Sequence, residues 1–146
     1  MCRFLVVATV TAAFGLFATN RVLADHPHLH HAVYELRLAH EELKKADHNF
    51  GGQREKGLLA IDAAYRQIEK CLEAAGDPYK NTFAPPGGIY KGYKNHEHLR
   101  HSLVELHEAH KYLKGAGGNF GGHKKRALED IDAAIIHVQK CIEHIK

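Results

Sequence analysis

The chain repeats itself. Displaced by 70 residues and laid on itself without a gap, residues 26–76 match 96–146, with 23 of the 51 positions identical. Two blocks are kept whole: Asn49-Phe50-Gly51-Gly52 returns as Asn119-Phe120-Gly121-Gly122, and Ile61-Asp62-Ala63-Ala64 as Ile131-Asp132-Ala133-Ala134. Each copy is one supersecondary unit, so whatever one folds into the other must also adopt.

Each copy carries two apolar stripes. Leu29, Val33, Leu36, Leu43 and Ala46 recur at helical spacing, with Ala32 and Ala39 beside them. Leu58, Ile61, Ala64, Tyr65, Ile68 and Leu72 do the same after the glycines. Such stripes belong to helices with one face in a core. Glycine readily takes the left-handed conformation that ends a helix, so Asn-Phe-Gly-Gly is the turn of a helical hairpin. Phe50 and Phe120 are expected to tuck beneath it. One hairpin cannot bury its stripe alone, whereas two can. The predicted fold is therefore all-α: a four-helix bundle of two tandem hairpins with pseudo-two-fold symmetry. The hairpins span 25–76 and 96–146. The crossover, 77–95, is rich in proline, glycine and tyrosine. At about 3.3 Å per extended residue it could run the length of a bundle, so it leaves the mutual orientation of the hairpins open.

Residues 1–24 read as a secretory signal peptide: Arg3, an apolar run from Phe4 to Phe17, then Val22-Leu23-Ala24 before a cut at Asp25. That run is short for a membrane span. The expected address is periplasmic or secreted, with no transmembrane span in the mature chain. Removing Arg3 and Arg21 leaves eighteen basic against seventeen acidic residues, a near-neutral balance that argues against nucleic acid as a partner.

The compositional oddity is 14 histidines, the commonest metal-binding side chain. The repeat sorts them. His26/His96, His28/His98, His31/His101 and His40/His110 are matched between copies; His30, His48, His107, His123, His137 and His144 are not. His28, His31 and Glu35 stand at i, i+3 and i+7, within about 60° on one helix face; His98, His101 and Glu105 repeat the pattern. Two imidazoles a turn apart with a carboxylate can hold a divalent ion, and imidazole suits copper, nickel and zinc. A solvated polar flank is the alternative. His26 and His96 lie nearby as further candidate ligands. His40 and His110 lie on the apolar stripe. Folding the hairpin at its glycines sets them level with Asp62 and Asp132, as a half-buried pair that fixes register or as ligands. Cys71 and Cys141, the two cysteines of the mature chain, either form a disulfide that staples hairpin to hairpin or join the histidines as soft ligands.

No Cys-x-x-Cys-His, phosphate loop, dinucleotide fingerprint or nucleophile elbow occurs. No activated nucleophile stands out, so the chain is not expected to be an enzyme. The basic run His123-Lys124-Lys125-Arg126 reads as a solvated face.

The block His48-Asn49-Phe50-Gly51-Gly52-Gln53-Arg54, with Gly118-Asn119-Phe120-Gly121-Gly122-His123-Lys124, resembles the hairpin turn of a group of short exported bacterial proteins. Those turn at a His-Asn/Asp-Phe-Gly-Gly-His-Arg-like motif, from which each copy departs at one end. The likeness covers both repeats and implies fold and export, not an activity. In histidine content the chain is also similar to small periplasmic metal-binding bundles. The expectation is an exported protein that binds a transition metal ion, copper or zinc, for buffering or delivery. A metal-independent interaction module of the cell envelope is the first alternative. A non-covalent haem bundle with His40 and His110 as axial ligands is the second.

Overall fold

The computed structural model describes residues 26–77 and 96–145. The expected signal peptide and all but the first residue of the crossover lie outside them. The described residues form a four-helix bundle: α1 (Pro27–Lys44), α2 (Gln53–Ala75), α3 (Glu97–Gly115) and α4 (His123–Glu143), with a short 3-10 turn at Phe120–Gly122 before α4. Among them no helix is long and apolar enough to cross a membrane.

The two turns are built alike, and their chemistry explains the motif. Phe50, Gly51 and Gly52 have φ of 48°, 63° and 83°; Phe120, Gly121 and Gly122 have 46°, 63° and 84°. Three successive left-handed residues are tolerable only where most are glycine. Each phenylalanine packs part-buried against the core. The Arg54 guanidinium donates back to the Ala46 carbonyl, and Lys124 Nζ does the same to Ala116 and, at 3.1 Å, to Lys114. The basic residue two places after the glycines thus satisfies carbonyls left open at the end of the preceding helix. Lys124 is therefore a helix cap and not part of a solvated face.

The two hairpins meet head to tail. The heaviest packing is α1 on α3 and α2 on α4, with lighter contact inside each hairpin. Both inter-hairpin pairs are antiparallel. On the first, Glu42 meets His98, and Ser102 Oγ donates to the Ala39 carbonyl at 2.9 Å. On the second, His123 Nδ1 lies 2.9 Å from Gln67 Oε1, and His137 Nδ1 2.8 Å from Gln53 Oε1. A shift of 70 carries Gln53 to His123 and Gln67 to His137, so these two bonds are one contact seen from both sides. That reciprocity is the mark of an isologous interface. It also locates the axis on α1/α3: Glu35 is bonded to its own repeat mate, Glu105.

The core is the expected stripe. Leu29, Leu36, Leu43, Ile61, Ile68, Leu99, Leu106, Leu113, Ile131 and Val138 are each 2% exposed or less. Truncating any one of these leucines should cost about 2–5 kcal/mol. The first hairpin also carries a clasp at the end of α2. Gly76, left-handed at φ 71°, ends α2, and the buried Asp77 carboxylate accepts from the His26 backbone N–H and from the His30 ring, both at 3.0 Å. Burial pushes the Asp77 pKa up, but those two bonds outweigh it and hold it below the usual range.

Candidate metal centre

Head-to-tail packing brings the last turn of α1 against the first turns of α3. On α3, Leu99 and Leu106 are buried, which turns His98 and His101 toward α1. On α1, Leu43 is buried, which sets its neighbour Glu42 on the flank facing them. Glu42 Oε2 lies 2.8 Å from His98 Nδ1 and 3.5 Å from His101 Nδ1. Among the described residues, one group of three or more histidine, cysteine, aspartate or glutamate side chains has its ligand atoms all within 4.8 Å of one another: Glu42, His98 and His101. Donor atoms on a tetrahedral ion at about 2.1 Å stand about 3.4 Å apart, so the three need only small side-chain adjustments to hold one ion. His101 is buried, whereas the His98 side chain is 36% exposed, which leaves a solvent approach from one side.

Glu42 is poised as the anionic member. Burial raises its pKa most strongly, but hydrogen bonds from Lys45 and His98, with the charges of both, bring it below the ordinary value. The Lys45 ammonium, 2.7 Å from Glu42 Oε1, is exposed.

This set differs from the expected one. His98 and His101 come together as predicted, but Glu105 is not their third partner. Glu105 and Glu35 face each other on the pseudo-two-fold axis, 4% and 9% exposed. Burial, then the hydrogen bond to Glu35 and its charge, then Glu108 and Glu42, push the Glu105 pKa to about 9. Burial beside a second carboxyl thus favours the protonated form of Glu105. His28 and His31 lie at the opposite end of the bundle, where position 112, the mate of Glu42, is a tyrosine. The His31 ring stacks on Tyr112 at 4.7 Å and 15°, and His28 leans on it at 6.2 Å. Of the second-rank candidates, His26 packs edge-on against Phe120 at 5.7 Å, and His96 is exposed at the start of α3.

His40 and His110 meet the aspartates that hairpin folding assigns them: His40 Nε2 lies 3.6 Å from Asp62 Oδ1, and His110 Nε2 3.6 Å from Asp132 Oδ1. The histidines are half-buried, but their aspartates are largely exposed and stand beyond hydrogen-bond distance, so each contact is a loose ion-pair geometry and not a satisfied buried pair. The antiparallel register sets the two histidines about 15 Å apart along the bundle, too far for axial ligands of one haem.

The cysteines do not form the disulfide expected as one of their two readings. Cys71 and Cys141 are free and fully buried. α2 and α4 run antiparallel, so their C-terminal cysteines lie at opposite ends, about 30 Å apart at 1.5 Å per residue, where a disulfide needs Cα atoms within about 7 Å. Burial raises each thiol to about 11, against small opposing charges from Lys124 beside Cys71 and Arg54 beside Cys141. Buried thiols of that kind are poor ligands and poor nucleophiles.

Compared with protein-family models, with curated proteins and with solved structures, the chain finds no match.

Sequence patterning missed Glu42 for a definite reason. Retaining only residues matched between copies discards it, because its mate is Tyr112. Its role also depends on the head-to-tail register, which helical periodicity does not encode.

Proposed function

We propose that this is an exported, non-enzymatic protein that binds one divalent transition metal ion, copper or zinc, through Glu42, His98 and His101, for buffering or delivery outside the cytoplasm. The observation that carries this reading is the convergence of two imidazoles and a carboxylate from two helices within 4.8 Å. Two nitrogens and one oxygen suit zinc and copper, with remaining positions left to water or to an acceptor. Export rests on the sequence of residues 1–24.

Calorimetric titration of the purified protein with Cu²⁺ and Zn²⁺ tests the reading. The expected result is one equivalent bound, weakened at least about tenfold by Glu42→Gln or His101→Ala. Affinity should decline below about pH 6, because imidazole binds metal only when neutral. Absence of binding, or affinity indifferent to these substitutions, refutes it. The metal-independent alternative draws on exposed Leu59 and Ile136; a protein partner that binds equally well with and without metal would favour it.

A further inference from the structure

We propose that the open concavity bordered by Asp47, His96, Glu97 and His98 is an entry site, which captures a hydrated divalent transition metal ion and passes it inward to Glu42, His98 and His101. This rests on the inner site described above and adds a route to it.

The concavity measures about 440 Å³. Six waters around an ion occupy about 180 Å³, so an ion fits with its hydration shell intact. Its wall offers two carboxylates and two imidazoles, with Asp47, His96 and Glu97 exposed. Carboxylates hold hydrated cations through their waters, and a cleft of one sign of charge raises the local concentration of the opposite ion. His98 belongs to both places: it borders the concavity, and its Nδ1 stands 2.8 Å from Glu42. His98 is thus the side chain common to the outer concavity and the inner donors.

The other end of the bundle shows that this is not a by-product of the repeat. The mates of His96, His98 and His101 are the matched imidazoles His26, His28 and His31. The mates of Asp47, Glu97 and Glu42 are Gly117, Pro27 and Tyr112. Every carboxylate along the proposed path is present at one end and absent from the other. Where they are absent, the imidazoles pack against Phe120 and Tyr112 instead.

Stopped-flow uptake of Co²⁺, followed by the visible absorption of the ion in the inner site, tests the route. In a variant combining Asp47→Asn, His96→Ala and Glu97→Gln, uptake at low ionic strength should slow about tenfold. Release to excess chelator should slow by a similar factor, leaving the dissociation constant within about threefold. An access site changes both rates together. Unchanged rates, or slower uptake with unchanged release, overturn the entry site while the absorption band preserves the inner one. A wild-type protein that develops no band, or a band that survives Glu42→Gln with His101→Ala, overturns the inner site and the entry site with it. The three changed side chains are exposed, and the band itself reports that the variant is folded.

Discussion

The two ends of the bundle share a backbone and a set of imidazoles, yet they use them differently. At one end His98 and His101 converge on the carboxylate of Glu42. At the other His28 and His31 lie against the phenol ring of Tyr112. A single position, occupied by glutamate in one copy and tyrosine in the other, decides whether a pair of histidines becomes a candidate cation site or aromatic packing. The lesson is that a histidine count predicts little. What an imidazole does is set by the neighbour on the facing helix.

The difference can be broken outright by removing the rings in pairs. Replacing His98 and His101 by alanine should weaken Zn²⁺ binding at least about 100-fold, or about 2.8 kcal/mol. Replacing His28 and His31 should leave Zn²⁺ affinity within about twofold, while destabilising the fold by about 1–2 kcal/mol through lost ring packing. Parallel calorimetry and urea unfolding would show it, and equal losses of affinity in the two variants would abolish the distinction. The converse experiment sharpens it. Tyr112→Glu should create a second Zn²⁺ equivalent, about tenfold weaker than the first, since Gly117 and Pro27 supply no neighbouring carboxylates. A stoichiometry that stays at one in calorimetry would show that something beyond this position separates the ends.

Between the ends lies the Glu35–Glu105 pair, which belongs to both halves and gives a pH-dependent effect. Glu105 titrates at about 9 in the fold and near 4.3 in the unfolded chain. A folded-state pKa above the unfolded value means that the native state binds more protons between the two. Its stabilising share is complete below about pH 4 and is lost progressively up to about pH 9, by at most about 1.4 kcal/mol per pH unit. Glu105→Gln, which keeps a hydrogen-bond donor without a titrating proton, should flatten that slope in denaturant titrations from pH 5 to 9. An unaltered slope would mean that the Glu105 pKa is not raised by its burial in the fold. The smallest expected effect is local to the first hairpin. Asp77→Asn should cost about 1–2 kcal/mol at neutral pH, since its bonds to His26 and His30 are charge-assisted. The folded-state pKa of Asp77 is lowered, so this difference should begin to shrink as pH falls below about 4 and be lost as it drops through the depressed folded-state value. Urea titrations of both proteins at pH 7 and pH 3 would check it.

Much of this architecture is readable from the residues. The repeat gives two equal hairpins, the stripes give four helices, and Phe50-Gly51-Gly52 gives the turn. Hairpin folding even pairs His40 with Asp62 and His110 with Asp132. These are local facts, carried by spacing within one copy. What is not readable depends on how the copies meet. The apolar stripe says which face of α1 is buried but not which residue of α3 lies opposite, and the crossover is long enough to permit either orientation. Glu35 and Glu105 stand at ligand-like spacing on their own helices, yet the axis turns them toward each other. Cys71 and Cys141 match between copies, and the same symmetry that matches them places them at opposite ends.

The buried carboxyl pair at the centre bears on how this chain could change over generations. A residue on the axis faces a copy of itself, so replacing one carboxyl with an apolar side chain strands the other in a dry interior. Losing the pair therefore asks for two coordinated changes. Residues away from the axis carry no such obligation, since altering one leaves its counterpart at the far end untouched. Glu42 and Tyr112, away from the axis, have diverged, while Glu35 and Glu105, on it, remain alike.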